Sequence, residues 1–345
     1  MRISSAVSNR ITITAPNINR NHGLEQCHTH HPGYRYVTPA NQLDCCTDLL
    51  FTGNITKPIV KNLLPAIKDG KTDLPFTKII ACVRSEGSEK KLNEQFSEYN
   101  NILTVSRGEN VKAVQQADVI ILGVDPADIE SVLTQNGIRD ALSGKLLISV
   151  AAGWTKEKIE STIYGSETNK ENNSGRAWVI RTLPNIACMV SEGLIAIEKS
   201  PSEPEVPKGH RDLTKALFTT IGETVEVPPR LMNATTAVGG STPAFWAVIC
   251  DAFIDASVAV GVPRADAQTM IYQSMKGSAA MLQSGLQPGD LRDQGTSPEG
   301  CTIGGIMVLE EAGVRGHLGR ALREAVTTAR LMETTTHVND TRPTS

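Results

Sequence analysis

Gly300, Cys301 and Thr302 stand just ahead of an apolar run that reads as a helix, Ile303 to Glu311. Their backbone N–H groups therefore fall at a helix N-terminus. Unpaired amides and the positive end of the helix dipole make such a place an anion site, suited to a carboxylate. Ser297 adds a hydroxyl from the preceding loop, and the Thr302 hydroxyl is able to hydrogen-bond a substrate nitrogen. An ordinary Ser/Thr-rich helix cap with no ligand uses the same residue types. Two further segments are dense enough to matter. Arg181-Thr-Leu-Pro-Asn185 follows a strand pattern, and Gly239-Gly-Ser-Thr-Pro-Ala-Phe245 is a turn that opens a long helix.

A second chemistry concerns a cofactor. A sheet of alternating strands and helices binds a dinucleotide at its first strand-turn-helix, through G-x-G-x-x-G/A. Here the turn reads Phe51-Thr52-Gly53-Asn54-Ile55-Thr56, and only the middle glycine, Gly53, is present. Alone this is no fingerprint, and a plain Gly-Asn turn explains it equally. After the second strand comes Arg84-Ser85, a base and a hydroxyl that suit a 2′-phosphate, where an acid would favour a free ribose. NADPH is therefore expected, with NADH as the alternative. Asn110, at a helix start, and the Gly123-Val124-Asp125-Pro126 turn lie at strand ends where such folds bind ligands. The simpler reading of Asn110 is a helix N-cap.

These groups need a scaffold, and the chain supplies alternating patterns from about 43 onward. Ile55–Ile67, Ser88–Tyr99, Asn110–Gln116 and a start at Asp128 read as helices. Thr77–Val83, Asp118–Val124, Lys145–Ala151, Ala177–Arg181 and Gly193–Glu198 read as buried strands, and Glu223–Pro228 as an edge strand. Gly165–Gly175 reads as a loop insertion. From Met232 to about Glu333 the pattern is helical, alanine-rich and poor in charge. This predicts an α/β Rossmann-like domain with a parallel sheet, followed by an all-α dimerisation domain. The boundaries expected are a tail over 1–42, the dinucleotide domain over 43–229, the helical substrate and oligomerisation domain over 230–333, and a tail over 334–345.

Composition narrows the function classes. The formal charge is −3 over 345 residues, so no large basic face for nucleic acid is expected. Aromatics are 4% against 40% apolar residues overall, so the cores are aliphatic and closely packed. No apolar run approaches the ~18 residues that span a bilayer. Seven cysteines without a C-x-x-C pair imply free thiols and a reducing compartment. The cytoplasm is expected, with the mitochondrion as the alternative suggested by the Arg- and Ser-containing start. Cys27-His28-x-His30-His31 lacks a second ligand pair at zinc spacing, so no metal is expected.

Colinear motifs carry a resemblance. The turn Gly239–Phe245 is similar to S-G-S-G-P-A-Y/F. Asp251-Ala-Phe-Ile-Asp255-Ala-Ser-Val258-Ala-Val-Gly261-Val-Pro263-Arg264 is similar to D-A-x-x-D-x-x-V-x-x-G-L-P-R. Gln273 and Gly277 follow, then Leu291–Ile303 for L-R/K-D-x-V-x-S-P-G-G-x-T-I, and Val308-Leu-Glu310-Glu-Ala-Gly313-Val-Arg315 for V-L-E-x-x-G-x-R. Together they resemble the pyrroline-5-carboxylate reductase family, strongly from about 178 to 332 and moderately from 77 to 155. The resemblance implies hydride transfer from NADPH or NADH to the imine carbon of Δ1-pyrroline-5-carboxylate, giving L-proline. It implies that the amides of Ser297–Thr302 (Gly300 and Cys301 among them) hold the substrate carboxylate, with Thr302 near the imine nitrogen. It places the nicotinamide near Ala151, Ala152, Asn185 and Ser241, while the strand-end reading puts Gly53, Asn54 and Ile55 at the phosphates with Arg84, Ser85, Asn110, Val124 and Pro126 along the cofactor. It also implies a homodimer through the helical domain that shares the active-site wall and joins into larger rings.

The departures are specific. Phe51 and Thr56 replace two turn glycines, Thr242 replaces a glycine, and Gly295 replaces an apolar residue. Ala187 stands where a proline is usual. Glu299 replaces the first glycine of S-P-G-G, at a cost of about 1 kcal/mol or more wherever that position needs positive φ. The alternatives to proline synthesis are a diverged paralogue acting on a substituted cyclic imino acid, such as a methylated pyrroline carboxylate, and a catalytically impaired oligomeric scaffold.

Overall fold

The computed structural model describes residues 47–51, 56–70, 72–165, 175–199 and 205–333, with backbone alone over 47–51. The expectations for the 1–42 tail, the histidine-rich segment, Gly53, Asn54, Ile55, most of the 165–175 insertion and the 334–345 tail lie outside these residues. In chain order the elements are β1 (Thr47–Phe51), α1 (Lys57–Lys68), β2 (Phe76–Val83), α2 (Glu86–Gln95), β3 (Leu103–Arg107), α3 (Asn110–Gln116), β4 (Val119–Leu122), α4 (Ile129–Leu133) and α5 (Ile138–Ala141). They continue as β5 (Leu146–Ser149), α6 (Lys156–Tyr164), β6 (Trp178–Pro184), β7 (Gly193–Glu198), α7 (Lys208–Thr219) and β8 (Gly222–Val227). Among the described residues the strands form one sheet in the order β3-β2-β1-β4-β5-β6-β7-β8. Pairing is parallel from β3 to β6, antiparallel between β6 and β7, and parallel between β7 and β8.

Both faces of the sheet are covered, which explains the unbroken apolar strands. Successive side chains point to opposite faces. Val119, Ile121, Leu146 and Ile148 join one core with Ile59 and Leu63 of α1. Ile120, Leu122 and Leu147 join the other with Val114, Ile129 and Ile159. The strand order runs outward in opposite directions from β1 and from β4, and the crevice outside the carboxyl ends at this switch point is where this fold class binds ligands. The fold class read from the sequence is the one observed. β3, α6 and α7 were not anticipated, and the helix expected over Ser88–Tyr99 is α2 plus a separate 3-10 turn at Ser97–Tyr99.

After β8 the chain is helical: α8 (Met232–Thr235), a π-helical turn (Thr236–Ser241), α9 (Thr242–Ala259), α10 (Arg264–Gln283), α11 (Pro288–Gln294), α12 (Cys301–Glu311) and α13 (Val314–Leu331). Leu291–Gln294, read as loop, is therefore helix, with Pro288 opening it at the first turn. These helices bury little within the chain. α9 buries only Cys250 and Ile254, α10 only Ala267, and α12 nothing. Trp246 is 55% exposed, Val248 70% and Met270 62%. The stretch Pro229–Ala259 also contains an 18-residue window of mean hydropathy 1.4, long and apolar enough by length and composition to cross a membrane. That corrects the expectation of no such run: its Ser, Thr and Asn interrupt the apolar residues without adding charge.

Candidate active site

A groove of about 600 Å³ opens at the carboxyl ends of β1, β2 and β4. Arg84, Ser85, Asn110 and Val124, four of the residues expected at the cofactor, line it. Ser85 caps α2, accepting from the Ser88 amide at 3.2 Å and donating to the Ser88 hydroxyl at 2.9 Å. The Arg84 guanidinium donates to Asp128 at 2.8 Å, spanning the groove from β2 to the turn before α4. Ser88 and Lys91, which sequence reasoning missed, enter the same groove from α2. Their signal was the Ser85-x-x-Ser88 cap, which fixes the α2 amino end at this wall. The neighbouring Glu89 is committed to Arg107 at 2.8 Å. Arg84, Lys91, Ser88 and the α2 amides fit a phosphate monoester better than a bare diol. Burial pushes the Cys82 thiol in this groove up to about 11, so it is protonated and inert.

Asn110 is the first residue of α3, not its cap, which is Glu109. Its amide donates to Gln135 at 3.4 Å across the groove. Pro126 opens a 3-10 turn, and its carbonyl accepts from the Trp154 indole at 3.0 Å. That bond holds the loop after β5, where Ala151 is buried, Ala152 half-buried and Gly153 left-handed at φ +75°. Asn185 follows β6 and caps the 3-10 turn after it, with both its side-chain oxygen and its amide engaged. Its oxygen accepts from Ala187 at 3.2 Å and Leu194 at 3.1 Å, and its amide donates to the Gly239 carbonyl at 2.8 Å. Asn185 therefore braces the sheet to the π-helical turn that ends in half-buried Ser241. π turns of this kind recur at functional sites.

The substrate loop stands apart. Ser297, Cys301 and Thr302 are exposed, and among the described residues the loop's hydrogen bonds stay within 291–304. Gly300 opens α12 with no side-chain cap bond, leaving the first-turn amides available. A Cβ at Gly300 would collide with the Ser297 hydroxyl, which explains that glycine. The structure thus brings Arg84, Ser85, Asn110 and Val124 together at the groove, whereas Pro126, Ala151, Ala152, Asn185 and Ser241 do not line it and the loop Ser297–Thr302 stands apart.

The departures separate by backbone. Thr56 has φ −84° and Thr242 φ −60°, helical values open to any residue, so neither lost glycine causes strain there. Ala187 supplies the N–H that Asn185 accepts, a bond a proline would lack. Glu299 alone is costly. It sits at φ +59°, one of two described non-glycine residues with positive φ.

A doubly covered parallel sheet with a basic groove, followed by apolar helices that bury little of their own surface, defines a dinucleotide-binding oxidoreductase with a helical dimerisation region. Comparison agrees. The family profile described as pyrroline-5-carboxylate reductase dimerisation matches residues 229–332, and NADP oxidoreductase coenzyme F420-dependent matches 50–153. A pyrroline-5-carboxylate reductase of Lophium arboricola is 43% identical over 267 residues, 77% of this chain and 83% of that protein. The structure of such a reductase from Coxiella burnetii superposes with TM-score 0.69 at 25% identity, covering 84% of this chain and 99% of that one. That of a Plasmodium falciparum pyrroline carboxylate reductase with NADP bound gives TM-score 0.65 at 24% identity, covering 84% and 100%. The chain belongs to the pyrroline-5-carboxylate reductase family.

Proposed function

We propose that this chain reduces Δ1-pyrroline-5-carboxylate to L-proline with NADPH. The observation that carries the proposal is the pairing, in a member of this family, of a groove carrying Arg84 and Lys91 at the strands' carboxyl ends with an uncapped helix N-terminus bearing a hydroxyl. Arg84, Ser88, Lys91 and the α2 amides hold the 2′-phosphate, which NADH lacks. Asn110 and Val124 flank the rest of the cofactor. The bound nicotinamide supplies the hydride that reduces the imine carbon. The α12 amides at Gly300–Thr302 hold the substrate carboxylate, and Ser297 adds a hydrogen bond. The Thr302 hydroxyl hydrogen-bonds the imine nitrogen and orients the proton it receives. Ala151, Ala152 and Ser241 shape the wall, with Asn185 fixing it from behind. The protein's contribution is positioning and exclusion of water, while the hydride chemistry is the cofactor's.

The exposed apolar faces of α9, α10 and α12 support a homodimer. The open position of the loop supports a site in which the partner's α11–α12 loop completes the groove. Glu299 favours a second reading. It replaces a glycine of the family pattern inside the loop expected to hold the carboxylate, the kind of departure a diverged paralogue acting on a substituted cyclic imino acid would carry. The test is NADPH fluorescence on binding, then NADPH oxidation with pyrroline-5-carboxylate and with its methylated analogue. Turnover of the parent imine is expected. No binding at millimolar NADPH overturns the reductase reading, and turnover of the analogue alone selects the second.

A further inference from the structure

Arg181 is the most deeply buried cation described, 3% exposed in the middle of β6. Its nearest carboxylate within the sheet, Glu198 of β7, is 3.7 Å away, too far for a good charged hydrogen bond. Burial pushes the Glu198 carboxyl up, against the downward pull of Arg181. Among the described residues the Arg181 Nε has no hydrogen-bond partner. Glu198 alone therefore satisfies this guanidinium poorly. The closer carboxylate comes from elsewhere: Glu333, just past the end of α13, lies 3.2 Å from Nη2, which also donates to Asn233 of α8 at 3.4 Å.

Glu333 brings the end of α13 against a particular place. A Cβ at Gly153 would lie 3.3 Å from the Met332 carbonyl oxygen, so the α13 terminus packs directly on the loop after β5. Gly153 itself needs its left-handed φ of +75° to make that turn. The loop is tied on its other side by Trp154 to Pro126 at 3.0 Å. Arg181 pairs in register with Ser149, the last residue of β5, whose carbonyl accepts from Thr182 at 3.0 Å. One buried cation thus touches β7, α8 and the end of α13, beside the strand that delivers Ala151 and Ala152.

We infer that Arg181 and Glu333 form a buried latch that holds the end of α13 against the loop Ala151–Gly153, and that both are positioning residues for hydride transfer. Only the last clause rests on the function proposed above. The latch acts through the loop, since neither residue reaches the reacting atoms. A modest slackening is enough to matter, because misplacement of about 1 Å costs up to about a hundredfold in rate.

The test uses Glu333→Gln and Arg181→Lys in the full chain; Glu333→Gln is the milder, since Glu333 is a quarter exposed. Backbone hydrogen exchange over Val150–Trp154 is measured first, with thermal melts alongside. Exchange of these amides is expected to rise at least tenfold in both variants. Unchanged exchange there overturns the latch, whatever the activity. Steady-state rates with NADPH deuterated at the transferred position follow. Glu333→Gln is expected to lower kcat about five- to tenfold, leave KM for the imine within about twofold, and raise the isotope effect on kcat. A lower melting temperature with kcat and isotope effect unchanged overturns the positioning role. A wild-type chain that oxidises no NADPH, with exchange responding as expected, removes the functional reading and leaves the latch standing.

Discussion

The two halves of the described chain spend their apolar residues differently. In the sheet, Ile121, Leu146 and Ile148 are fully buried under helices of the same chain. In the helical half, Trp246, Phe253, Met270 and Met307 face outward, on helices that bury two residues or fewer each. The first half is folded by its own contacts. The second has the composition of a core with one side missing, which is what a surface completed by another copy looks like. The groove proposed for the cofactor belongs to the first half and the loop proposed for the carboxylate to the second. Binding and chemistry should then separate experimentally along the same line.

The largest effect expected comes from charge on the outward face. Phe253→Asp or Met270→Asp should convert the oligomer to monomers by light scattering and lower turnover about a hundredfold or more, because burying an unpaired carboxylate in an interface is prohibitive. NADPH binding should survive. A variant that stays oligomeric and active breaks the comparison. Ile121→Ala should behave oppositely, lowering stability by about 2–5 kcal/mol in denaturant melts at any protein concentration. Thr302→Ala sharpens the division further. It should reduce kcat about tenfold to a hundredfold, the worth of one hydrogen bond to a charged group, with NADPH affinity unchanged in a fluorescence titration, and an unchanged kcat removes Thr302 from the mechanism.

Smaller effects follow from backbone and protonation. Glu299→Gly should stabilise the chain by about 1 kcal/mol, since glycine adopts φ +59° without penalty. No gain in a thermal melt would place the strain elsewhere. His210, half-buried near Trp178, has its pKa lowered by burial. A lowered pKa means the unfolded chain binds the proton more readily. Stability is therefore full above about pH 6.5 and declines as pH falls through the folded value. His210→Gln should flatten that acid limb by a small amount, and an identical limb in both proteins would exclude His210 as its source.

How much of this was legible in the sequence depended on range. β2, β4 and β5 declared themselves because both faces are buried, making continuous apolar runs. β3 did not, since as an edge strand it exposes much of Leu103–Arg107 and reads as polar loop. Arg84, Ser85, Asn110 and Val124 were found because strand ends are local signals, while Ser88 and Lys91 needed the direction of α2. The strain at Glu299 was visible as an exception to a glycine pattern. Asn185 was found by its motif, but its work as a brace depends on Leu194 and Gly239, which no local pattern connects to it. The Arg181–Glu333 pair is the extreme case, a contact between a mid-chain strand and the end of the last helix described.

The solvent-facing loop between α11 and α12 has a consequence in genetics. With the groove from one subunit and the loop from its partner, a lesion in either part damages a different half of each site. Mixing an Arg84 variant with a Thr302 variant should then restore activity that neither has alone, since each mixed dimer regains one intact site, about a quarter of wild-type turnover on random reassortment. Two recessive alleles of this one gene would complement each other, and a single defective allele would poison only the sites it enters.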